Sequence, residues 1–514
     1  MSNRIMLAAV AMLATAMLIY PLGRFQNQGR SFNVMEATIG DIHSAYRVGT
    51  LTAHQLVQMY LDRIKAYDQQ GPKINSVITL NPKALEEADR LDAAFKTSGL
   101  VGPLHGIPLL LKDQVDVAGL PTTLGSVILK DYVPTQDAFV VEKLKKAGAI
   151  ILAKTTLGEW AGGDTYGSLF GETRNPYDLS RTVGGSSGGS AAGLTANFGT
   201  IGIGQEFAAS TRRPATWNSV VGMRPTTGLV SRSGVWVGWP SIRGVLAPMA
   251  RTVTDLAKLL DVMVGYDTED PATALGVGHV PKTYTAFLDR NGLKGARIGV
   301  LRDTNPSNFD PDSADFKNVA AVFEKALGEL RAAGAVLVDP IGIPSLKTLM
   351  ANDRSGGVVD GPDNATVYYS RNPKSPFKTL QDLLKAPGYR GSQDPTNAGK
   401  PGSEFSAREE LLINMLKVMA DNRLDAIVHK SFEQGPPLLR QPNKGVPRLN
   451  TFLMFASSIA VPAGFTPDGL PAGITFLGGP YSEPTMIKLA YAYEQATHHR
   501  RPPTTPPPLP AGRR

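Results

Sequence analysis

From Phe32 onward the chain keeps exchanging one hydrophobic period for another. Segments with apolar residues three and four apart alternate with short uninterrupted apolar runs. Such alternation describes strands joined by helices. In "LTAHQLVQMYLDRIKAYD", Leu56, Met59, Tyr60 and Ile64 share one helical face behind Thr52, a residue suited to capping it. "DAFVVEKLKKAGAIILAKT" predicts a helix, a stop at Gly148 and a strand, and "GSAAGLTANF" a helix of small residues. "TVTDLAKLLDVMVG" and "EPTMIKLAYAYEQAT" predict further helices; "HGIPLLLKDQVDV", "ARIGVLRD", "LDAIVHK" and "AGITFLGG" predict strands. The expected fold is α/β: a single large domain around a central twisted sheet, mixed and largely parallel, covered by helices on both faces. Residues 360–410 are polar and rich in Pro and Gly, and are expected to form a surface excursion lining a substrate entrance.

The two ends differ from this body. An uncharged apolar run extends from Ile5 to Tyr20 behind Arg4. Sixteen helical residues span about 24 Å, short of the roughly 30 Å hydrocarbon core. Residues 1–31 are therefore expected to be a secretory signal peptide or a short N-terminal membrane anchor, and the protein to be exported (periplasmic or secreted) or membrane-anchored through residues 5–20. Residues 501–514, "RPPTTPPPLPAGRR", read as a disordered Pro-rich tail, which leaves 32–500 as the globular domain. The formal charge of +8 rests on the same ends: Arg4, Arg24, Arg30, Arg500, Arg501, Arg513 and Arg514 have no acid among residues 1–35 or 498–514. Without those seven charges the body carries only +1, no support for a nucleic-acid partner. The chain has no cysteine, which excludes disulfides, thiol nucleophiles and Cys-ligated metal centres.

One stretch stands out chemically. Gly184 to Ser190 reads "GGSSGGS", and "FAAST" places Ser210 24 residues after Ser186. A linker is one reading, but the small-residue helix that follows without a break implies close packing. A phosphate loop is another, but no Lys follows the glycines. A nucleophile site is the third, with Gly supplying unusual backbone angles and Ser the hydroxyls. A serine nucleophile needs a base. None of the seven His residues has a triad-like context, and no G-x-S-x-G elbow surrounds these serines. His105, before a Gly-Ile-Pro turn, reads as structural. A Lys can serve as base if burial lowers its pKa from about 10.4. Lys112, after three leucines in "IPLLLKD", is a candidate, although taken alone it reads as a snorkelling side chain.

The pieces together resemble the amidase signature family of serine hydrolases. The resemblance runs from about residue 36 to 502 through "GPLHGIPLLLKDQVDVAG", "TRNPYDLSRTVGGSSGGSAAGLTANFGTIGIG", "NSVVGMRPTTGLVSRSGV", "PMARTVTDLAKLLDVMVGYD" and "VPAGFTPDGLPAGITFLGG". It implies the amidase signature fold and a Ser–cis-Ser–Lys triad. Ser210 falls on the nucleophile, Ser186 on the bridging serine and Lys112 on the base. It further implies an oxyanion hole from the backbone N–H groups of Phe207, Ala208 and Ala209, with no metal and no organic cofactor. The expected substrate is a small-molecule amide, with aryl amides, carbamates and esters left open. Trp160, Tyr166, Trp236 and Trp239 are candidates to line its pocket, while Glu159 and Asp164 read as loop polars. The oligomeric state is left open and a homodimer fits.

This chain also departs from the family pattern. "GQEFAAS" stands where G-T-D-x-G-G-S is usual, so alanines replace two glycines and Glu206 an aspartate. Arg212 matches, whereas Arg213 occupies a position that is commonly apolar. Gly244 and Ala247 stand where many members have Asp and Gly. These changes imply either altered specificity or a weakened or inactive site, and the retained triad favours an active enzyme. Two other readings are a non-catalytic binding protein on the same fold and the amidase-fold component (the A chain) of a tRNA-dependent amidotransferase.

Overall fold

The computed structural model describes residues 32–351, 364–389 and 403–509, apart from 237, 240, 243, 448, 450–452 and 454. Eleven strands form one sheet: β1 (Val77–Leu80), β2 (Ile107–Lys112), β3 (Ala149–Thr155), β4 (Ile201–Glu206), β5 (Val221–Arg224), β6 (Val245–Ala250), β7 (Arg297–Leu301), β8 (Val336–Ile341), β9 (Ala426–Lys430), β10 (Ser458–Phe465) and β11 (Pro471–Leu477). Their spatial order is β1-β3-β2-β4-β6-β5-β10-β11-β9-β7-β8. The sheet is mixed, as expected, but its parallel pairs are confined to two blocks, β3-β2-β4 and β9-β7-β8. The other six neighbouring pairs are antiparallel, including the whole centre. The expectation of a largely parallel sheet fails because β10 returns directly as β11 over five residues, a connection open only to antiparallel strands.

Local chemistry accounts for the helices used below: α1 (Ala53–Arg63), α2 (Phe139–Lys146), α3 (Gly188–Thr195), α4 (Arg212–Trp217), α5 (Val253–Met263), α6 (Ala314–Ala332), α7 (Asn364–Ser370) and α8 (Glu483–Thr497). At α1, the Thr52 hydroxyl accepts from the Gln55 N–H and the Gln55 side chain accepts from the Thr52 N–H, a complete capping box. Thr252 caps α5 through the Asp255 N–H at 3.1 Å. α2 stops ahead of Gly148, whose φ is +88°; a Cβ there would stand 2.7 Å from the His105 Cα. α3 is buried along its whole length and packs on β2 and β4, which its run of Gly, Ser and Ala permits. The main core joins residues of β2, β3, β4, α5 and α8 around the sheet.

Two expectations about the ends change. Residues 501–509 lie against the body, with Pro503 and Pro506 buried. The buried Arg63 donates to the carbonyls of Pro507 and Pro506 at 2.9 and 3.0 Å, and Arg501 lies 3.9 Å from the Phe465 ring centroid. The expectation of an exported or membrane-anchored protein is corrected: among the described residues no helix is long and apolar enough to cross a membrane. The run from 5 to 20, with all of 1–31, lies outside the described residues. Part of the 360–410 excursion is packed inward, since α7 buries Tyr368 and Tyr369. Tyr368 donates to Asp116 Oδ1 at 2.7 Å, in the loop after β2.

Candidate active site

β2 is buried at every position, so its continuous apolar run carries Lys112 to the strand end between β3 and β4. The lysine has no exposed surface. Its Nζ lies 2.7 Å from Ser186 Oγ and 3.4 Å from the Gln205 carbonyl oxygen. Burial pushes the amine well below the usual lysine range, partly opposed by the nearby Glu206 carboxylate. A neutral amine at 2.7 Å from a hydroxyl can take its proton.

Ser186 lies in the turn that leads into α3 and is also fully buried. Gly184 precedes it with φ of +77°, and a Cβ there would stand 2.9 Å from the Trp217 ring. The Gly185–Ser186 peptide is cis. Ser187 then joins this turn to the second serine: its N–H donates to the Ser210 carbonyl oxygen at 3.0 Å. The Ser187 hydroxyl also bridges to β4, donating to Gln205 O at 3.1 Å and accepting from Gln205 N–H at 3.2 Å. Ser210 is half-buried in the turn between β4 and α4.

Glu206 organises that turn. The carboxylate accepts from the N–H groups of Thr211 and Arg212 at 3.1 and 3.0 Å and from Arg212 Nε at 2.8 Å. Arg212 also donates to the Ala208 carbonyl at 2.9 Å. No residue from Glu206 to Ser210 takes the left-handed region, so Ala208 and Ala209 meet no conformational penalty for lacking the freedom of glycine. Both members of the Glu206–Arg212 pair are buried. Glu206→Gln is expected to destabilise the fold by about 3–5 kcal/mol, since it strands a buried guanidinium. A denaturant midpoint unchanged from wild type counts against this reading.

An aromatic cluster adjoins the turn. Trp160 and Trp236 lie 5.8 Å apart; Trp160 meets Tyr389 at 4.9 Å, and Trp236 meets Tyr368 and Tyr369 at 5.6 and 5.8 Å. Phe207 packs against this cluster. The indole N–H groups of Trp160 and Trp236 are buried with no hydrogen-bond partner among the described residues. Tyr166 is 43% exposed and outside the cluster, and Trp239 is half-buried without a ring contact to it among the described residues. His105 is buried and accepts the Val101 N–H at 3.2 Å, in keeping with a structural histidine. Among the described residues no group of three or more His, Asp or Glu side chains could hold a metal ion.

The sequence profile of the Amidase family matches residues 55–487. The chain belongs to the amidase signature family. Peptide amidase from Stenotrophomonas maltophilia is similar in structure, with a TM-score of 0.82 and 35% identity over 91% of this chain and 99% of that one. A probable amidase of Arabidopsis thaliana is 32% identical over 494 residues, 92% of each chain. A glutamyl-tRNA(Gln) amidotransferase component of Methanosarcina barkeri is 33% identical over 478 residues, 88% of this chain and 96% of that one. For this family member, nothing in the sequence singles out the tyrosines at 368, 369 and 389, and Asp164 reads there as a loop polar. In the structure Asp164 instead pairs with Arg213 at 3.0 Å. The unusual charge at Arg213 is the one available signal, but nothing local to the sequence names its partner.

Proposed function

We propose that this amidase signature protein is a serine amidohydrolase, cleaving the C–N bond of carboxamides through an acyl-enzyme on Ser210. The observation that carries the reading is the buried contact of 2.7 Å between Lys112 Nζ and Ser186 Oγ, beside a Ser187–Ser210 backbone bond. Neutral Lys112 takes the Ser186 proton as Ser186 takes that of Ser210. The Ser210 oxygen forms a bond to the amide carbon. The N–H groups of Phe207, Ala208 and Ala209 are the donors we assign to the oxyanion that develops. Collapse breaks the C–N bond, and the proton held on Lys112 returns through Ser186 to the leaving nitrogen. Water, deprotonated by the same relay, then releases the carboxylic acid. The scheme uses no cofactor. Phe207, half-buried and backed by the buried Trp160 and Trp236, offers the apolar surface for the acyl portion. Similarity to a peptide amidase puts peptide amides first in a substrate panel, ahead of aryl amides, carbamates and esters.

A second reading, the amidase-fold component of an amidotransferase, draws on the 33% identity to such a protein. It predicts amide hydrolysis that appears only with partner chains. Fluorophosphonate labelling followed by peptide mapping tests the first reading. Modification of the isolated chain at Ser210 is the expected result; a chain that hydrolyses amides yet labels elsewhere sinks it.

A further inference from the structure

Arg213 carries a charge where its side chain is only 10% exposed. Its guanidinium is committed to one region of backbone. Nε and Nη2 donate to the Gly185 carbonyl oxygen at 3.2 and 2.9 Å, and Nη2 also reaches the Gly163 carbonyl at 3.1 Å. The counter-charge is Asp164, whose carboxylate accepts from Thr182 Oγ1 at 3.1 Å and Asn443 Nδ2 at 2.8 Å. The guanidinium lies 5.6 Å from the Trp217 ring centroid. A planar fork of five donors can serve two carbonyls and a carboxylate together; an apolar side chain would leave both carbonyls without these donors.

The target of this fork is the peptide that enters Ser186. Because a peptide unit is planar, holding the Gly185 oxygen holds the plane from which the Ser186 side chain departs. The peptide leaving Ser186 is held too, since the Gly158 N–H donates to the Ser186 carbonyl at 3.0 Å. Gly185 itself touches the same loop: a Cβ there would stand 2.3 Å from the Gly163 oxygen. The loop from Gly158 to Asp164 thus braces Ser186 from both sides, and it also carries Trp160 into the aromatic cluster.

We infer that Arg213, paired with Asp164, is a positioning residue that fixes the Gly185–Ser186 peptide so that Ser186 Oγ stays within proton-transfer distance of Lys112. The inference rests on the Lys112–Ser186–Ser210 relay proposed above. Arg213→Met and Arg213→Lys, made in the full chain, are measured for amide hydrolysis, Ser210 labelling by a fluorophosphonate and thermal melting. Arg213→Met is expected to lower kcat about 10²-fold with KM within about threefold, and to slow labelling in proportion, as a displaced reacting group does. Arg213→Lys is expected to recover kcat to about a tenth of wild type, because an ammonium reaches the Gly185 oxygen without the fork. A purely structural role lowers the melting temperature and leaves the folded fraction's kcat intact; Arg213→Met with kcat within twofold of wild type overturns the inference. If that variant does not fold, Arg213→Lys with wild-type kcat overturns it. If neither folds, Asp164→Asn decides, with a tenfold fall in kcat expected and an unchanged kcat overturning. Wild-type protein that neither turns over amides nor labels at Ser210 marks failure of the relay itself, and the inference falls with it.

Discussion

Ser210→Ala is expected to lower amide hydrolysis by at least about 10⁴-fold, because losing the attacking oxygen removes the covalent route and leaves only binding and the oxyanion N–H groups. The fold should persist. Ser210 meets the Ser187 N–H through its own backbone carbonyl, and an alanine keeps that bond. Its side chain is half-buried at a turn, so the stability change should stay within about 1 kcal/mol. Steady-state turnover together with a melting curve separates the two effects. A folded Ser210→Ala protein with undiminished hydrolysis would remove Ser210 as nucleophile.

Lys112→Met should lower kcat by about 10²- to 10⁴-fold, the range over which a positioned base contributes. Methionine fills most of the same buried space without an amine. The sign of the pH effect follows from the direction of the shift. As the proposed base Lys112 would act when neutral, so wild-type activity is expected above its pKa in the folded protein and is lost as pH falls through it. Burial lowers that pKa, so activity should extend well below the ordinary lysine value of about 10.4. Without the amine, the loss should ease as pH rises and hydroxide substitutes. A pH–rate profile for Lys112→Met that keeps the wild-type acidic limb excludes Lys112 as the base.

The two variants probe opposite ends of the proposed relay, and Arg213 probes its middle. Glu206 and Arg213 are both departures from the family pattern around the Ser210 turn. Glu206 anchors the turn through Arg212, and Arg213 reaches back to Gly185. The altered residues thus bring their own set of partners. The alanines that replace the usual glycines sit in backbone that any residue can adopt.

Much of this was legible in the sequence because it is local. Thr52 and Thr252 meet their capping partners three residues on. The stop at Gly148 is a property of one residue's φ. The strand that ends in Lys112 announces itself by an unbroken apolar run and Ser186 by its glycine neighbours, whereas Ser210, flanked by Ala209 and Thr211, stands out only through the resemblance to the family. Other features depend on solvent exclusion and on segments distant in sequence. The depressed pKa of Lys112 arises only once β3, β4 and the Ser186 turn have removed water from it. The aromatic cluster draws on Trp160, Trp236 and the 368–389 segment, and neither period nor spacing links them. The antiparallel centre of the sheet follows from how strands return, which hydrophobic pattern alone does not report. Asp164 became the partner of Arg213 because burying a guanidinium demands a counter-charge, and which carboxylate supplies it is decided by the packing of the loop against the Ser186 turn. Sequence by itself therefore determined which groups could do the chemistry, and tertiary structure decided the burial that lowers the Lys112 pKa and the contact that sets its amine against Ser186.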